Sequence, residues 1–229
     1  MKNISLDRRL MAAAEFVRPQ AVVADIGTDH AYLPVFLVKQ GIAARAVASD
    51  INEGPVLRAK KNVTEAGLSD KIEVLRRDGL CGYENSGVTD IIICGMGGEL
   101  IAQVLGDAKF TANEGVRLIL QPMTKAAELR RFLVSSGYSI IGEKLAEDDG
   151  KIYQIICAEY SGFVEPYTEA ELLIGKSFDG KDGELFAKLA EKTVAELKKR
   201  KSGLEKSGRS ADFEDTIIKD IEKTFGGNL

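Results

Sequence analysis

The chain is poor in the residues that most often build metal and redox centres. It has one histidine, His30, and three cysteines, Cys81, Cys94 and Cys157, in 229 residues. The cysteines are odd in number and far apart, and none stands in a C-x-x-C or C-x-x-H spacing. That argues against a disulfide framework and against a structural zinc site. A lone histidine cannot form a histidine-centred metal cluster, and no serine or cysteine motif marks a catalytic triad. No metal is therefore expected. Nothing approaches the roughly 18 consecutive apolar residues of a membrane-crossing helix. The charged start, Met1-Lys2-Asn3-Ile4-Ser5-Leu6-Asp7-Arg8-Arg9, has no apolar signal core behind it. The expectation is a cytoplasmic protein with no membrane partner. A basic excess is missing too, with a net charge of −4 and a pI of about 5.3. This balance favours a small-molecule enzyme over a bulk nucleic-acid binder, although a local basic patch is enough to hold RNA.

What is present is ordinary globular content, 45% hydrophobic and 29% charged. The length suits one α/β domain with a smaller appendage. Apolar spacing predicts a helix over 6–17, stopped by Pro19. Short apolar runs then alternate with helical patterns. Strands are predicted at 21–25, 44–49, 72–75, 90–94 and 116–120, and helices at 31–40, 55–66, 99–105 and 124–136. That alternation predicts a parallel sheet covered on both faces, and continuous runs such as Ile91-Ile92-Ile93 fit a doubly buried strand. The rhythm changes at 138–145 and 151–159, two strand-like runs around Asp149-Gly150, a turn signal that predicts a hairpin. After a linker at 162–168, a charged helix is predicted over 182–206, with Ala190, Val194, Leu197 and Leu204 at heptad-like spacing. Phe213, Ile217, Ile218, Ile221 and Phe225 mark a second helix, so the two form an antiparallel hairpin. The predicted division is an α/β domain over 1–160 and a small helical, coiled-coil-like domain over 161–229.

The chemistry concentrates where strands end. Asp25-Ile26-Gly27-Thr28-Asp29-His30-Ala31 stands where the first strand becomes the first helix of the alternation. Ligands of doubly wound sheets bind at the carboxyl ends of the strands, and Gly27 lets the backbone turn tightly and approach a ligand. The run is not G-x-G-x-x-G, because Asp29 takes the place of the second glycine. A carboxylate there repels a pyrophosphate but suits the positive sulfonium and amino groups of S-adenosylmethionine. Asp50 ends the second strand, where a carboxylate can accept two ribose hydroxyls. Asp78 and Gly79 follow the third, within reach of an adenine amino group. Gly95-Met96-Gly97-Gly98 follows the fourth strand and implies close backbone approach. Gln121-Pro122 follows the fifth, where an amide can bond a base edge. A parallel sheet closed by a hairpin, with acids ending three successive strands, is the outline of a Rossmann-like class I methyltransferase. A nicotinamide-dependent oxidoreductase is opposed by the missing glycine and by the hairpin.

Three runs resemble a known family: DIGTDHAYLP over 25–34, GMGG over 95–98 and LILQP over 118–122. They are similar to the bacterial tRNA (adenine-22-N1)-methyltransferases, over 5–159 of this chain, and Glu147-Asp148-Asp149-Gly150-Lys151 extends the likeness. The resemblance implies a class I fold, S-adenosylmethionine as cofactor, a helical C-terminal domain, and methylation of N1 of an adenine in the D-loop region of tRNA. Met123 departs from the family, which has Asn after Gln-Pro, and the helical domain is short. On this reading Asp25, Gly27, Thr28 and His30 bind the methionine arm, Asp50 and Ile51 the ribose side, and Asp78 and Gly79 the adenine. Gly95 and Met96 complete the cofactor site. Asp29 is the candidate catalytic carboxylate, placed to offset the charge of the methylated ring. Gly97, Gln121, Pro122, Arg8 and Arg9 are the candidate tRNA contacts, with Lys192, Lys198, Lys199, Arg200, Lys201, Lys206, Arg130 and Arg131 as further cations. Two other readings fit the same residues: a methyltransferase of this fold acting on a small molecule or protein, and a non-catalytic tRNA-binding module.

Overall fold

A computed structural model of the chain describes residues 5–176, 178 and 183–225, apart from the side chains of 224 and 225. Seven strands form one sheet: β1 (Ala21–Ile26), β2 (Ala43–Asp50), β3 (Ile72–Arg76), β4 (Asp90–Gly97), β5 (Arg117–Thr124), β6 (Tyr138–Asp148) and β7 (Lys151–Tyr160). Their order is β3-β2-β1-β4-β5-β7-β6. The first five run parallel. The β7 strand enters antiparallel between β5 and β6, so the hairpin closes the sheet as its Asp-Gly turn predicts.

The central strands are apolar at every position because both faces are covered. Ile91, Ile92 and Ile93 of β4 and Leu118, Ile119 and Leu120 of β5 are fully buried. Successive side chains go to opposite faces. Ile92 and Ile119 join one core with helices α1 (Arg8–Ala14), α2 (Tyr32–Lys39) and α3 (Glu53–Glu65). Their neighbours Ile91, Ile93, Leu118 and Leu120 join the other, against α4 (Gly98–Gly106) and α5 (Ala126–Ser135). The order reverses beside β1, so the β1 and β4 carboxyl ends form the switch point where ligands of such sheets bind.

Two strands run further than their apolar content predicts. Expected to stop at 94 and 120, β4 and β5 continue to Gly97 and Thr124. Gly95, Met96, Gly97, Gln121 and Pro122 are therefore strand residues, not loop residues. The pairing shifts at Cys94/Met96, a bulge, and Pro122 lies opposite Met96 there. Proline lacks the ladder donor and is tolerated at such an irregularity. Gly98, first residue of α4, is needed for close packing: a Cβ would lie 2.1 Å from the Lys125 carbonyl oxygen.

A third core joins Leu145 of β6 to α6 (Glu169–Ile174), α7 (Gly183–Lys206) and α8 (Asp212–Phe225). The α6 helix follows the predicted linker and has no counterpart in the sequence reading. It opens on a capping box in which Thr168 and Glu171 satisfy each other's backbone amides. The expected helix over 182–206 runs from Gly183, Asp182 lying outside the described residues, as do Met1 to Ile4 of the charged start. Ala190, Val194 and Leu197 of α7 face Ile217, Ile218 and Ile221 of α8, whereas Phe213 is 54% exposed. Lys198 pairs with Glu222 and Lys201 with Asp215, which fixes the two helices antiparallel.

Candidate active site

The β1–α2 loop is pinned from two sides. The Gly27 and Thr28 amides both donate to the Ser49 carbonyl at the end of β2, at 2.8 and 2.9 Å. Gly27 has φ +76°, and the Met96 methyl packs where its Cβ would stand, 2.2 Å away. Any side chain here meets both a backbone penalty and a clash. Asp25, one residue before the strand end, is buried. Burial pushes its carboxyl up to about 6, partly offset by a hydrogen bond from Thr28. Among the described residues no cation forms a salt bridge with it. The half-buried Cys94 thiol is held protonated, first by burial and then by the Asp25 charge.

A cavity of about 340 Å³ opens over this loop. Asp25, Gly27, Thr28, Asp29 and His30 line it, with Gly95 from β4. Asp7, Arg9 and Leu10 cover it from α1. Arg9 thus stands in the same cavity as Asp25. It donates to the Gln121 Oε1 at 2.7 Å and pairs with Asp7 at 3.2 Å. Asp7 also caps α1 by accepting from the Leu10 amide at 2.7 Å. Gln121 is fully buried, and its amide nitrogen donates to the Pro122 carbonyl at 2.8 Å. Both ends of its amide are engaged inside the fold, and Met123 beside it is 47% exposed. Arg8 is exposed and has no polar partner among the described residues.

Asp29 has a different setting from Asp25. Its side chain is 59% exposed, paired with Arg58 of α3 and 3.3 Å from the His30 Nε2. Asp50 is half-buried at the end of β2 and accepts from the Asn52 amide at 2.7 Å, which leaves one carboxylate oxygen for a ligand. Ile51 is 52% exposed. Asp78 and Gly79 line a second cavity of about 430 Å³ with Leu100 and Val104 of α4. Expected site residues thus gather in one group around Asp25 and another around Asp78, while Arg8, Asp50, Ile51, Met96, Gly97, Gln121 and Pro122 line neither cavity. Sequence reasoning missed Arg58 and Tyr32. Arg58 carries no local signal, because its partner lies 29 residues away. Tyr32 lies within the family-like run over 25–34.

Comparison with known proteins places this geometry. The methyltransferase domain family matches residues 6–156. The tRNA (adenine(22)-N(1))-methyltransferase of Bacillus subtilis is 38% identical over 220 residues, covering 93% of this chain and 90% of that protein. The chain belongs to this methyltransferase family. The crystal structure of the B. subtilis m1A22 tRNA methyltransferase TrmK superposes with a TM-score of 0.80 at 33% identity, covering 98% of this chain and 97% of that one. M. capricolum TrmK, solved with S-adenosyl-homocysteine, gives a TM-score of 0.82 at 28% identity, covering 96% and 98% of the two chains. The fold of this family member is therefore the Rossmann-like methyltransferase fold, and the family's cofactor is S-adenosylmethionine.

Proposed function

We propose that this methyltransferase transfers the methyl group of S-adenosylmethionine to N1 of adenine 22 of a tRNA. The observation that carries this reading is the pairing of family membership with a buried, unpaired Asp25 facing a cavity at the switch point. A desolvated carboxylate without a counter-charge suits a cationic ligand. The residues present fit the cofactor. Asp25 holds its amino group beside Gly27 and Thr28, and Arg9 its carboxylate, a cofactor role for a residue expected on the tRNA. Asp50 takes the ribose hydroxyls with its free oxygen, and Asp78 with Gly79 the adenine. When bound, S-adenosylmethionine supplies the electrophilic methyl.

The chain's own work is alignment and charge placement. Neutral adenine N1 has a lone pair and is a competent nucleophile, so holding it in line supplies much of the rate. The Asp29 carboxylate at the cavity rim offsets the positive charge that methylation places on the ring. Arg58 and His30 fix its orientation. We further propose the division into a catalytic domain over 1–160 and a helical domain over 161–229, and a cytoplasmic location in a bacterium. Among the described residues no helix is long and apolar enough to cross a membrane.

One observation favours the small-molecule or protein reading. Three of the expected phosphate contacts are spent within the helical hairpin: Lys198 on Glu222, Arg200 on Glu214 and Lys201 on Asp215. Arg131 is likewise paired with Glu169, and Arg130 is fully buried. Lys192, Lys199 and Lys206 stay unpaired among the described residues. The deciding experiment is transfer of labelled methyl to an unmodified tRNA with adenine at position 22, beside the same tRNA carrying guanine there. Incorporation into the adenine tRNA alone establishes reaction and site. No incorporation, with cofactor binding intact by calorimetry, selects the other reading.

A further inference from the structure

The rim of the Asp25 cavity carries an aromatic pair whose outer ring, Tyr32, no role above uses. Tyr32 opens α2 and is 41% exposed. Its ring lies against that of His30, centroids 5.0 Å apart and planes 8° apart. Both residues line the cavity next to Asp29.

The pair is held in place from several directions. Between the two residues in sequence, Ala31 adopts a left-handed φ of 55°. It is 1% exposed, and its amide donates to the Thr28 Oγ1 at 3.1 Å. A residue with a Cβ keeps that conformation only where its surroundings over-determine it, and such strain clusters at ligand sites. The His30 carbonyl accepts from the Asn62 Nδ2 at 2.9 Å. On its other side the His30 ring meets Asp29, itself held by Arg58. The loop therefore presents a fixed, flat π surface to solvent.

The cofactor has no use for that surface. Its methionine arm is aliphatic and charged, and its adenine is assigned to the Asp78 end. An extruded base does have a use for it. Leaving the stack exposes both faces of the ring, and aromatic side chains replace the lost neighbours. We propose that Tyr32, backed by His30, is the surface on which the target adenine stacks, with Asp29 at the edge of the ring. The inference rests on the tRNA reading above. The stack fixes the plane of the base, and so the direction of the N1 lone pair within it. Stacking is nearly indifferent to base identity, so Tyr32 sets position and leaves choice of base to polar groups.

The test compares Tyr32→Leu with Tyr32→Phe and Tyr32→Trp, using full-length protein and unmodified tRNA. Tyr32→Leu is expected to raise the tRNA KM roughly tenfold above Tyr32→Phe, the order expected for one lost base–aromatic stack, with cofactor Kd by calorimetry alike in the two. A tRNA carrying 2-aminopurine at position 22 supplies the spectroscopic reading. Its emission in the complex should be most quenched with Trp, less with Phe and least with Leu. This order also decides the matter if the Leu variant folds poorly, since Phe and Trp remain to be compared. Equal tRNA KM for Leu and Phe, equal quenching by Phe and Trp, or a loss confined to cofactor affinity overturns the proposal. Wild-type incorporation is measured alongside, so failure of the tRNA reading shows there and failure of the stack only among the variants.

Discussion

The buried Asp25 makes both the stability of the ligand-free protein and its affinity for a cationic ligand depend on pH. Burial raises its carboxyl from 3.8 to about 6. At about 1.4 kcal/mol per tenfold, the ionised form costs the ligand-free fold about 3 kcal/mol above pH 6. The sign follows from proton counts. Between the two values the folded state holds a proton that the unfolded state has lost, so stability of the ligand-free protein falls as pH rises from 3.8 to about 6, then levels. Cofactor affinity runs the opposite way, because the cationic ligand needs the ionised carboxylate. The ionised fraction rises roughly tenfold between about pH 5 and about pH 7, so Kd should fall about tenfold over that range. Asp25→Asn should remove this dependence and weaken binding roughly ten- to hundredfold at pH 7, the value of a hydrogen bond to a charged group. The same substitution removes the buried charge, so the ligand-free variant should melt several degrees higher at pH 7. Calorimetric titration with S-adenosylmethionine at three pH values, beside thermal melts without ligand, measures both. A variant that keeps the wild-type Kd, or keeps the wild-type slope with pH, refutes the assignment of Asp25 to the cofactor cation.

Three further outcomes are expected. Arg130→Met should cost about 3–5 kcal/mol in urea unfolding, because Arg130 and Glu143 are both fully buried and the change strands the carboxylate. Arg130→Met with Glu143→Leu should recover part of that loss, because the stranded carboxylate is gone while the Leu172 carbonyl of α6 and the Gln154 side chain of β7 still lose their Arg130 donor. Gly98→Ala should destabilise by about 1–3 kcal/mol through its clash with the Lys125 carbonyl, whereas Gly203→Ala in α7, facing open space, should stabilise by about 0.5–1 kcal/mol. Arg9→Ala should weaken cofactor binding, while Arg8→Ala should leave it intact and reduce the salt slope of tRNA binding by about one. Filter binding at several salt concentrations separates these two neighbours.

Features carried by neighbouring residues were legible in the sequence. The alternation of apolar strands and helices, the Asp149-Gly150 hairpin and the strand-end acids all depend on spacing within a few residues. The capping box of Thr168 and Glu171 is equally local, and its T-x-x-E spacing is the signal that reveals α6 directly after the segment read as a linker. The β4 and β5 extensions were hidden because glycine and proline read as breakers, and only the register between two strands shows that a bulge absorbs them. The remaining errors concern partners. Gln121 looked free to read a base edge, but its acceptor is held by Arg9, 112 residues away. The α7 lysines looked free to meet phosphate, but α8 supplies acids to two of them, Lys198 and Lys201.

The clearest case is the pair of carboxylates, Asp25 and Asp29, at the β1–α2 connection. Asp25 and Asp29 stand four positions apart and are chemically identical in the sequence. The fold turns one inward, where desolvation raises its pKa and no cation among the described residues forms a salt bridge with it, and the other outward, onto Arg58 and His30. A buried, uncompensated acid gains most from a cation that arrives with the ligand. An exposed acid with its charge already paired gains little from one, but is held in a fixed direction at the rim, where a ring acquires charge only as it reacts. The two proposed roles differ because the two desolvation costs differ: Asp25 is buried, whereas the Asp29 side chain is 59% exposed.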